Sequence, residues 1–238
     1  GHEDHIGALP YVLSRVNAPV YATRLTRGLA EVKLREHHLL DQVELHTIEP
    51  RDVLSLGPFS VEFFHVCHSI PDTVGLAITT PVGLVVHSGD FKFDPHPVDG
   101  QLTDSARLQE LGDRGVLLLF SDSTNVEAPG FTPSEREIGE TFETVFAEAR
   151  GRVIVATFAS NISRVQQVIA AARRHGRRVG FVGRSMVKNV RMAGRLGYLG
   201  IAPEESLTLK EMNGLPDERV TIICTGSQGE PTSALVRM

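Results

Sequence analysis

The sequence predicts a layered α/β protein built from two domains. Short apolar strands cluster between helical segments in the first half of the chain, which indicates sheets covered by helices. After Pro133 helices and strands alternate one by one, which is the pattern of a parallel sheet with crossover helices. We therefore predict one domain over residues 1–132 and a second over residues 133–238.

The composition is that of an ordinary globular chain. The 238 residues are 41% apolar and 22% charged, and no apolar run approaches the roughly 18 residues of a membrane span. The net charge of -5 argues against a protein that coats nucleic acid, but not against an enzyme that holds one strand in a groove. Cys67 and Cys224 lie in apolar surroundings, which predicts buried, reduced thiols and a cytoplasmic protein.

In the first domain, hydrophobic periodicity predicts three helices and seven strands. The helices are expected at 6–16, 23–40 and 102–112. The strands are expected at 19–22, 43–48, 53–56, 59–66, 74–80, 84–87 and 116–120. Because the last of these is entirely apolar, we expect it to be buried.

The second domain begins with a capping box at Ser134 and Glu137. Helices are predicted at 134–150, 160–175 and 185–196, and strands at 153–157, 179–182 and 220–224. Small polar residues follow each strand, and in doubly wound sheets ligands bind beyond the carboxyl ends of the strands. Plain N-capping explains Ser160 and Asn161 taken alone, but three such turns near Arg164 and Arg184 favour a phosphate site.

Three stretches of the first domain carry residues that bind divalent metals. His2, Asp4 and His5 precede a helix, while His68 and Asp90 each follow an apolar strand. Imidazole and carboxylate are the ligands that borderline and hard divalent cations prefer. Helix capping is the alternative for the first stretch.

Other polar residues near these stretches allow two interpretations. Asp72 is either a turn residue or a group that orients His68, and Asp122 is either a site wall or a turn cap. His65 and His87 alternate to the opposite face of their strands and are expected to be packed or supporting residues.

The first three stretches resemble the metallo-β-lactamase superfamily, and the later ones resemble its β-CASP branch, the ribonuclease J family. The stretches that carry the resemblance are Gly-His-Glu-Asp-His-Ile-Gly-Ala-Leu-Pro-Tyr at 1–11, His-Ser-Ile-Pro-Asp at 68–72, His-Ser-Gly-Asp-Phe-Lys at 87–92, Ser-Asp-Ser-Thr-Asn at 121–125, Phe-Ala-Ser-Asn-Ile at 158–162, Gly-Arg-Ser-Met at 183–186 and Thr-Gly-Ser-Gln-Gly-Glu-Pro at 225–231. The resemblance implies a metallo-β-lactamase-like αββα sandwich with an inserted β-CASP domain. The superfamily's first motif is His-x-His-x-Asp-His, so we expect a piece of a longer protein, with at least two metal ligands outside it.

The resemblance also implies the functional residues and the cofactor. One metal ion would be bound by His2 and His68 and a second by Asp4 and His5, with Asp90 bridging the two. The implied catalytic residues are Asp4, Asp90 and Asp122, and the implied substrate contacts are Ala159, Ser160 and Asn161. Asp122 would hold a motif histidine or pass a proton. Zinc is the expected metal because the ligands include no thiolate, with manganese as the alternative.

The function implied by the resemblance is that of a metal-dependent ribonuclease. A hydroxide activated by two metals would hydrolyse RNA with 5′-3′ exonuclease and endonuclease activity, leaving 5′-phosphate and 3′-hydroxyl ends, in RNA and rRNA processing and in decay. The expected partners are single-stranded RNA with a 5′-monophosphate, copies of the chain in a homodimer or homotetramer, and other RNA-decay proteins, with no membrane. A thioester or lactone hydrolase and a non-catalytic scaffold of the same fold are the alternatives.

Overall fold

The computed structural model describes residues 1–201 and 206–238, and the strands within these residues form three sheets. The strands of the first domain are β1 (Val20–Ala22), β2 (Leu45–Thr47), β3 (Val53–Leu56), β4 (Phe59–His65), β5 (Val74–Thr80), β6 (Gly83–His87) and β7 (Val116–Phe120). Strands β1 and β2 pair in parallel, and the other five form a sheet in sequence order. That sheet is antiparallel apart from the parallel pair β6–β7.

The second domain contains a parallel sheet in the order β8-β10-β9, formed by β8 (Val153–Ala156), β9 (Arg178–Val182) and β10 (Val220–Cys224). The helices of the described residues are α1 (Glu3–Ile6), α2 (Leu9–Leu13), α3 (Arg24–Glu36), α4 (Ser105–Asp113), α5 (Glu135–Glu148), α6 (Ile162–Arg174), α7 (Arg184–Arg195), α8 (Leu209–Gly214) and α9 (Ala234–Arg237). None of them is both long and apolar enough to cross a lipid bilayer. The predicted layered α/β class, with parallel and mixed sheets flanked by helices, is confirmed.

Two expectations about the first domain are wrong. The helix expected over 6–16 is two short helices, because the chain turns at Gly7 and Pro10 lies in the first turn of α2, where its missing N–H is tolerated. Strand β7 is not buried: all five of its residues are exposed, with Leu117 at 62%. It lies at the edge of its sheet and pairs with β6 alone among the described strands. An apolar strand is buried only where other elements cover its faces.

An apolar core connects the two domains. Ile6, Leu25 and Leu29 of the first domain belong to the same cluster of buried side chains as Met186 and Val190 of α7. Helices α3 and α7 pack closely, since a Cβ added at Gly28 would lie 2.5 Å from Met192 Sδ and 2.9 Å from Leu196 Cδ1. The absence of a side chain at Gly28 therefore sets how closely the two helices approach.

A second contact between the domains is a charged joint formed by Lys92, Asp94, Glu135 and Arg164. Lys92 Nζ lies 3.3 Å from Asp94 Oδ2 and 2.9 Å from Glu135 Oε1, and Arg164 Nη2 lies 2.8 Å from Glu135 Oε2. The side chains of Asp94 and Glu135 are only 1% and 13% exposed. Asp94 accepts a 2.8 Å hydrogen bond from Glu135 N, so the joint holds the start of α5 beside the loop that follows Asp90.

Candidate metal centre

The centre of the candidate site is formed by Asp4, His5 and Asp90. Asp4 and His5 lie in the single turn of α1, and Asp90 follows β6 after Gly89, whose φ of +63° turns the chain. His5 Nε2 lies 2.9 Å from Asp90 Oδ2 and 3.6 Å from Asp4 Oδ2. One donor atom from each of the three residues falls within 4.8 Å of the others, a spacing that a shared metal ion fits.

His68 lies on the other side of Asp90. Its Nε2 is 3.8 Å from Asp90 Oδ2, so this carboxylate lies between the imidazoles of His5 and His68. Burial lowers the pKa of His68 and outweighs the nearby carboxylates of Asp90 and Asp122. A neutral imidazole keeps a lone pair free for a metal.

His2 is held by hydroxyl groups from both domains. Its Nδ1 lies 2.7 Å from Ser160 Oγ and its Nε2 lies 2.8 Å from Ser69 Oγ, while its ring meets that of His68 edge-on at 5.1 Å. Burial, followed by the neighbouring His68, lowers the pKa of His2 to about 4, which keeps the ring neutral at pH 7. To bind a metal, His2 would have to exchange one of the two hydroxyl contacts.

Asp122 has features of both a turn cap and a wall of the site. Its Oδ1 accepts a 2.8 Å hydrogen bond from Thr124 N, which is a turn contact, and its Oδ2 lies 3.4 Å from Phe91 N, in the loop that carries Asp90. Burial opposes ionisation of Asp122, but the hydrogen bonds from Thr124 and Phe91 outweigh it and lower its pKa. Asp122 is therefore an ionised carboxylate that supports the Asp90 loop.

Asp72 forms hydrogen bonds that the sequence motifs did not predict. It has a φ of +69°, typical of a tight turn, and its Oδ2 accepts hydrogen bonds from Leu25 N and from the Tyr198 hydroxyl at 2.5 Å. Burial, followed by this hydrogen bond, raises the pKa of Tyr198 above its ordinary value. Asp72 therefore joins the two domains, and among the described residues it has no hydrogen bond or ion pair with His68.

A cavity of about 370 Å³ adjoins the centre, and all three strand-end turns of the second domain line it. The lining residues from these turns are Thr157, Phe158, Ala159, Ser160, Ser185, Thr225, Gly226, Ser227 and Glu230. The opposite wall includes Val32, Lys33 and Glu36 of α3. As expected for a doubly wound sheet, the turns beyond the carboxyl ends of β8, β9 and β10 thus lie together.

Of the residues predicted to contact substrate, Ala159 and Ser160 line the cavity, whereas Asn161 caps a helix. Ala159 lines the cavity and accepts a hydrogen bond from Asn189 through its carbonyl group. Asn161 caps α6 by accepting a 3.0 Å hydrogen bond from Arg164 N. Arg164 pairs with Glu135 in the charged joint and Arg184 is exposed, and neither residue lines the cavity. The role of Ala159, Ser160 and Asn161 in binding substrate stays a prediction.

No sequence motif indicates the residues that join the domains around the site. Tyr198 lies 126 positions from its partner Asp72, and Glu135 lies 43 from Lys92. Ser69 lies in the motif at 68–72, but the motif does not predict its hydrogen bond to His2.

Comparison with known proteins agrees with the resemblance that the motifs indicate. Residues 150–238 match the family model described as ribonuclease J, beta-CASP domain. Proteins named ribonuclease J from Thermus thermophilus, Synechocystis sp. and Helicobacter pylori are 47%, 45% and 46% identical to the chain. Each match covers 100% of this chain but 43%, 38% and 34% of the relative, so the chain spans about two fifths of their length.

A solved structure shows the same fold at lower identity. A protein of unknown function from Enterococcus faecalis V583 aligns with a TM-score of 0.64 and 17% identity, over 88% of this chain and 54% of that one. The resemblance to ribonuclease J and the β-CASP fold of the metallo-β-lactamase superfamily are therefore confirmed. That resemblance implies use of a divalent metal, which the imidazole and carboxylate groups of the centre fit. The domain limits at 132 and 133 stay a prediction.

Proposed function

We propose that this chain, similar to ribonuclease J along its whole length, forms part of a metal-dependent ribonuclease. The observation that carries the proposal is the position of the metal centre beside the cavity. The hydroxyl of Ser160, which lines the cavity, lies 2.7 Å from His2, whose ring meets His68 at 5.1 Å. A phosphodiester bound at the strand-end turns would therefore lie next to groups that hold divalent cations.

Each residue of the centre has a distinct task in this proposal. His2 and His68 would hold one metal ion and Asp4 and His5 would hold another, with Asp90 between the two sets. Two bound divalent ions supply charge that polarises the phosphodiester and makes water easier to deprotonate. We infer zinc, with manganese as the alternative, because the donors are imidazole and carboxylate and not thiolate.

The cavity supports a substrate with a 5′-monophosphate. Ser185 lies in the first turn of α7, where free N–H groups and the helix dipole favour an anion. Gly183, with a φ of +111°, lets the chain enter this helix beside Thr225, since a Cβ at this position would lie 2.9 Å from Thr225 Oγ1. We propose exonuclease action from the 5′ end together with endonuclease action, leaving 5′-phosphate and 3′-hydroxyl products.

The cellular setting belongs to the same proposal. Cys67 and Cys224 are buried free thiols, which suits the reducing cytoplasm, where RNA processing and decay occur. We propose that the full-length protein acts there as a homodimer or homotetramer, together with other RNA-decay proteins.

The test is Asp90→Asn in the full-length protein. The amide keeps the size of the side chain but removes the charge that offsets two dications, so RNA hydrolysis should fall by at least ~10³-fold. Asp90 is 36% exposed and lies in a loop, so thermal unfolding without metal should stay close to that of the unaltered protein. Metal content should be measured on the same samples.

The matched control is Asp113→Asn, which removes the same charge from an exposed position at the end of α4. It should cleave RNA like the unaltered protein. Wild-type cleavage by Asp90→Asn with two metals bound would refute the bridging role. Hydrolysis of thioesters or lactones but not of RNA by the unaltered protein would instead favour a small-molecule hydrolase.

A further inference from the structure

Helix α7 carries a stripe of four cations. Arg184, Lys188, Arg191 and Arg195 are spaced four, three and four residues apart, which places them on one face of the helix over about 16 Å. The buried residues Met186, Val190 and Ala193 lie on the opposite face. We call the four cations the α7 stripe.

The stripe borders a groove between α3 and α7. This groove encloses about 450 Å³, and its lining includes Lys188, Arg191 and Arg195 together with Arg35 from α3. Met192 and Leu196 add apolar surface to the lining. Three cations of the stripe thus face Arg35 across an open channel.

The acidic residues of this groove are already paired. Glu36 Oε1 lies 2.6 Å from Lys188 Nζ, and Glu31 Oε1 lies 3.1 Å from Arg27 Nε. Arg35, Arg191 and Arg195 are exposed and form no ion pair within residues 1–201 and 206–238. A solvated surface helix usually mixes both signs of charge, so an excess of unpaired arginines at a groove indicates an anionic ligand.

The groove continues from the cavity beside the metal centre. Val32 and Glu36 line both spaces, and the Glu36–Lys188 ion pair lies at their junction. Ser185 and Asn189 of α7 line the cavity, and Arg191 and Arg195 line the groove further along the same helix. A chain that leaves the cavity in this direction would pass along the stripe.

We infer that the α7 stripe binds the phosphate backbone of single-stranded RNA extending from the cavity beside the metal centre. The inference rests on the proposed function, because the cavity must first take RNA. Cations about 4.5 to 6 Å apart along the helix follow a backbone in an electrostatic groove. No aromatic side chain lines the groove among the described residues, so binding there is electrostatic and depends strongly on salt.

The test compares two double variants of the full-length protein. Arg191→Gln with Arg195→Gln removes two charges from the stripe. Arg114→Gln with Arg150→Gln removes two exposed charges that have no ion pair in the part of the chain described and lie outside the groove. Binding to a single-stranded RNA of about 20 nucleotides is measured by fluorescence anisotropy between low and moderate salt.

The stripe variant should lose two phosphate contacts. At about 0.7 counterions per phosphate, the slope of log affinity against log salt should fall by about 1.4, and affinity at 0.1 M salt should fall roughly 25-fold. The control variant should change affinity less than about twofold, and the stripe variant's loss should shrink with an RNA of about four nucleotides. Thermal unfolding and metal content verify that both variants are folded.

Three outcomes would overturn the inference. They are unchanged RNA affinity in the stripe variant, an equal loss in both variants, and a loss that does not depend on RNA length. Unchanged RNA affinity would indicate that the stripe binds an acidic protein and not RNA. Failure of the proposed function is separate, because it would appear as no RNA hydrolysis by the unaltered protein.

Discussion

Asp94 should contribute more to stability than any exposed carboxylate of its loop, and Asp94→Asn tests this. Its Oδ1 accepts hydrogen bonds from Ser134 Oγ at 2.6 Å and His96 N at 2.9 Å, and its Oδ2 accepts one from Glu135 N. An amide offers one oxygen, so either orientation turns an NH₂ group toward a backbone N–H. Leaving a buried donor unpaired costs about 1–3 kcal/mol.

The pKa of Asp94 gives a second measure of this contribution. Burial raises it, but the hydrogen bonds from Ser134, Glu135 and His96, together with the charge of Lys92, bring it to about 2 from 3.8. That difference corresponds to about 2 kcal/mol of stability at pH 7. Because the folded pKa lies below the unfolded one, this stability is complete above about pH 5 and is lost as pH falls toward 2. About half of it remains at pH 3.

Urea denaturation of the full-length protein is the assay for Asp94→Asn. At pH 7 the variant should be about 2–3 kcal/mol less stable, and the gap should narrow by about 1 kcal/mol at pH 3. Asp99→Asn is the control, because Asp99 is exposed in the same loop and, within residues 1–201 and 206–238, accepts a hydrogen bond only from Gln101 N. A gap that stays the same between pH 7 and pH 3 would refute the reasoning, as would an equal loss in the control.

Two further predictions concern the packing of α3 against α7 and the 5′ end of the RNA substrate. Gly28→Ala should destabilise the protein by about 1 kcal/mol, because the new methyl group meets Met192 and Leu196. The control Gly112→Ala meets nothing within 4 Å and should stabilise the protein by about 0.5–1 kcal/mol. Thermal unfolding measures both, and equal signs would contradict the close packing of α3 on α7. RNA with a 5′-monophosphate should be cleaved faster than the same RNA with a 5′-triphosphate or 5′-hydroxyl, and equal rates in a gel assay would contradict a phosphate site at the strand-end turns.

The sequence predicts the elements of this fold well where the hydrophobic period is regular. Strands β3, β5, β7 and β10 begin and end at the predicted residues. The short helices α8 and α9 were not predicted, because four to six residues give too little periodicity to detect. The exposure of β7 could not be predicted either, because apolar composition does not reveal which faces other elements cover.

For the candidate site, the motifs predicted which residues lie near one another but not how they are bonded. Asp4, His5 and Asp90 come together as expected, and His68 lies beside them. The hydroxyl contact from Ser160 to His2 depends on how the two domains dock, and no local pattern records it. Contacts of this kind require tertiary structure, since their partners lie far apart in the chain.

The hydrogen bond between His2 and Ser160 connects a proposed metal ligand of the first domain to the second domain. Ser160 belongs to the second domain, while Asp4, His5, His68 and Asp90 belong to the first. If His2 is a ligand as proposed, then the angle between the domains and the affinity for metal are thermodynamically linked. If a metal takes Nε2 of His2 in exchange for Ser69, Nδ1 still holds Ser160. Bound metal and any ligand that separates His2 from Ser160 would then change each other's affinity by the same factor.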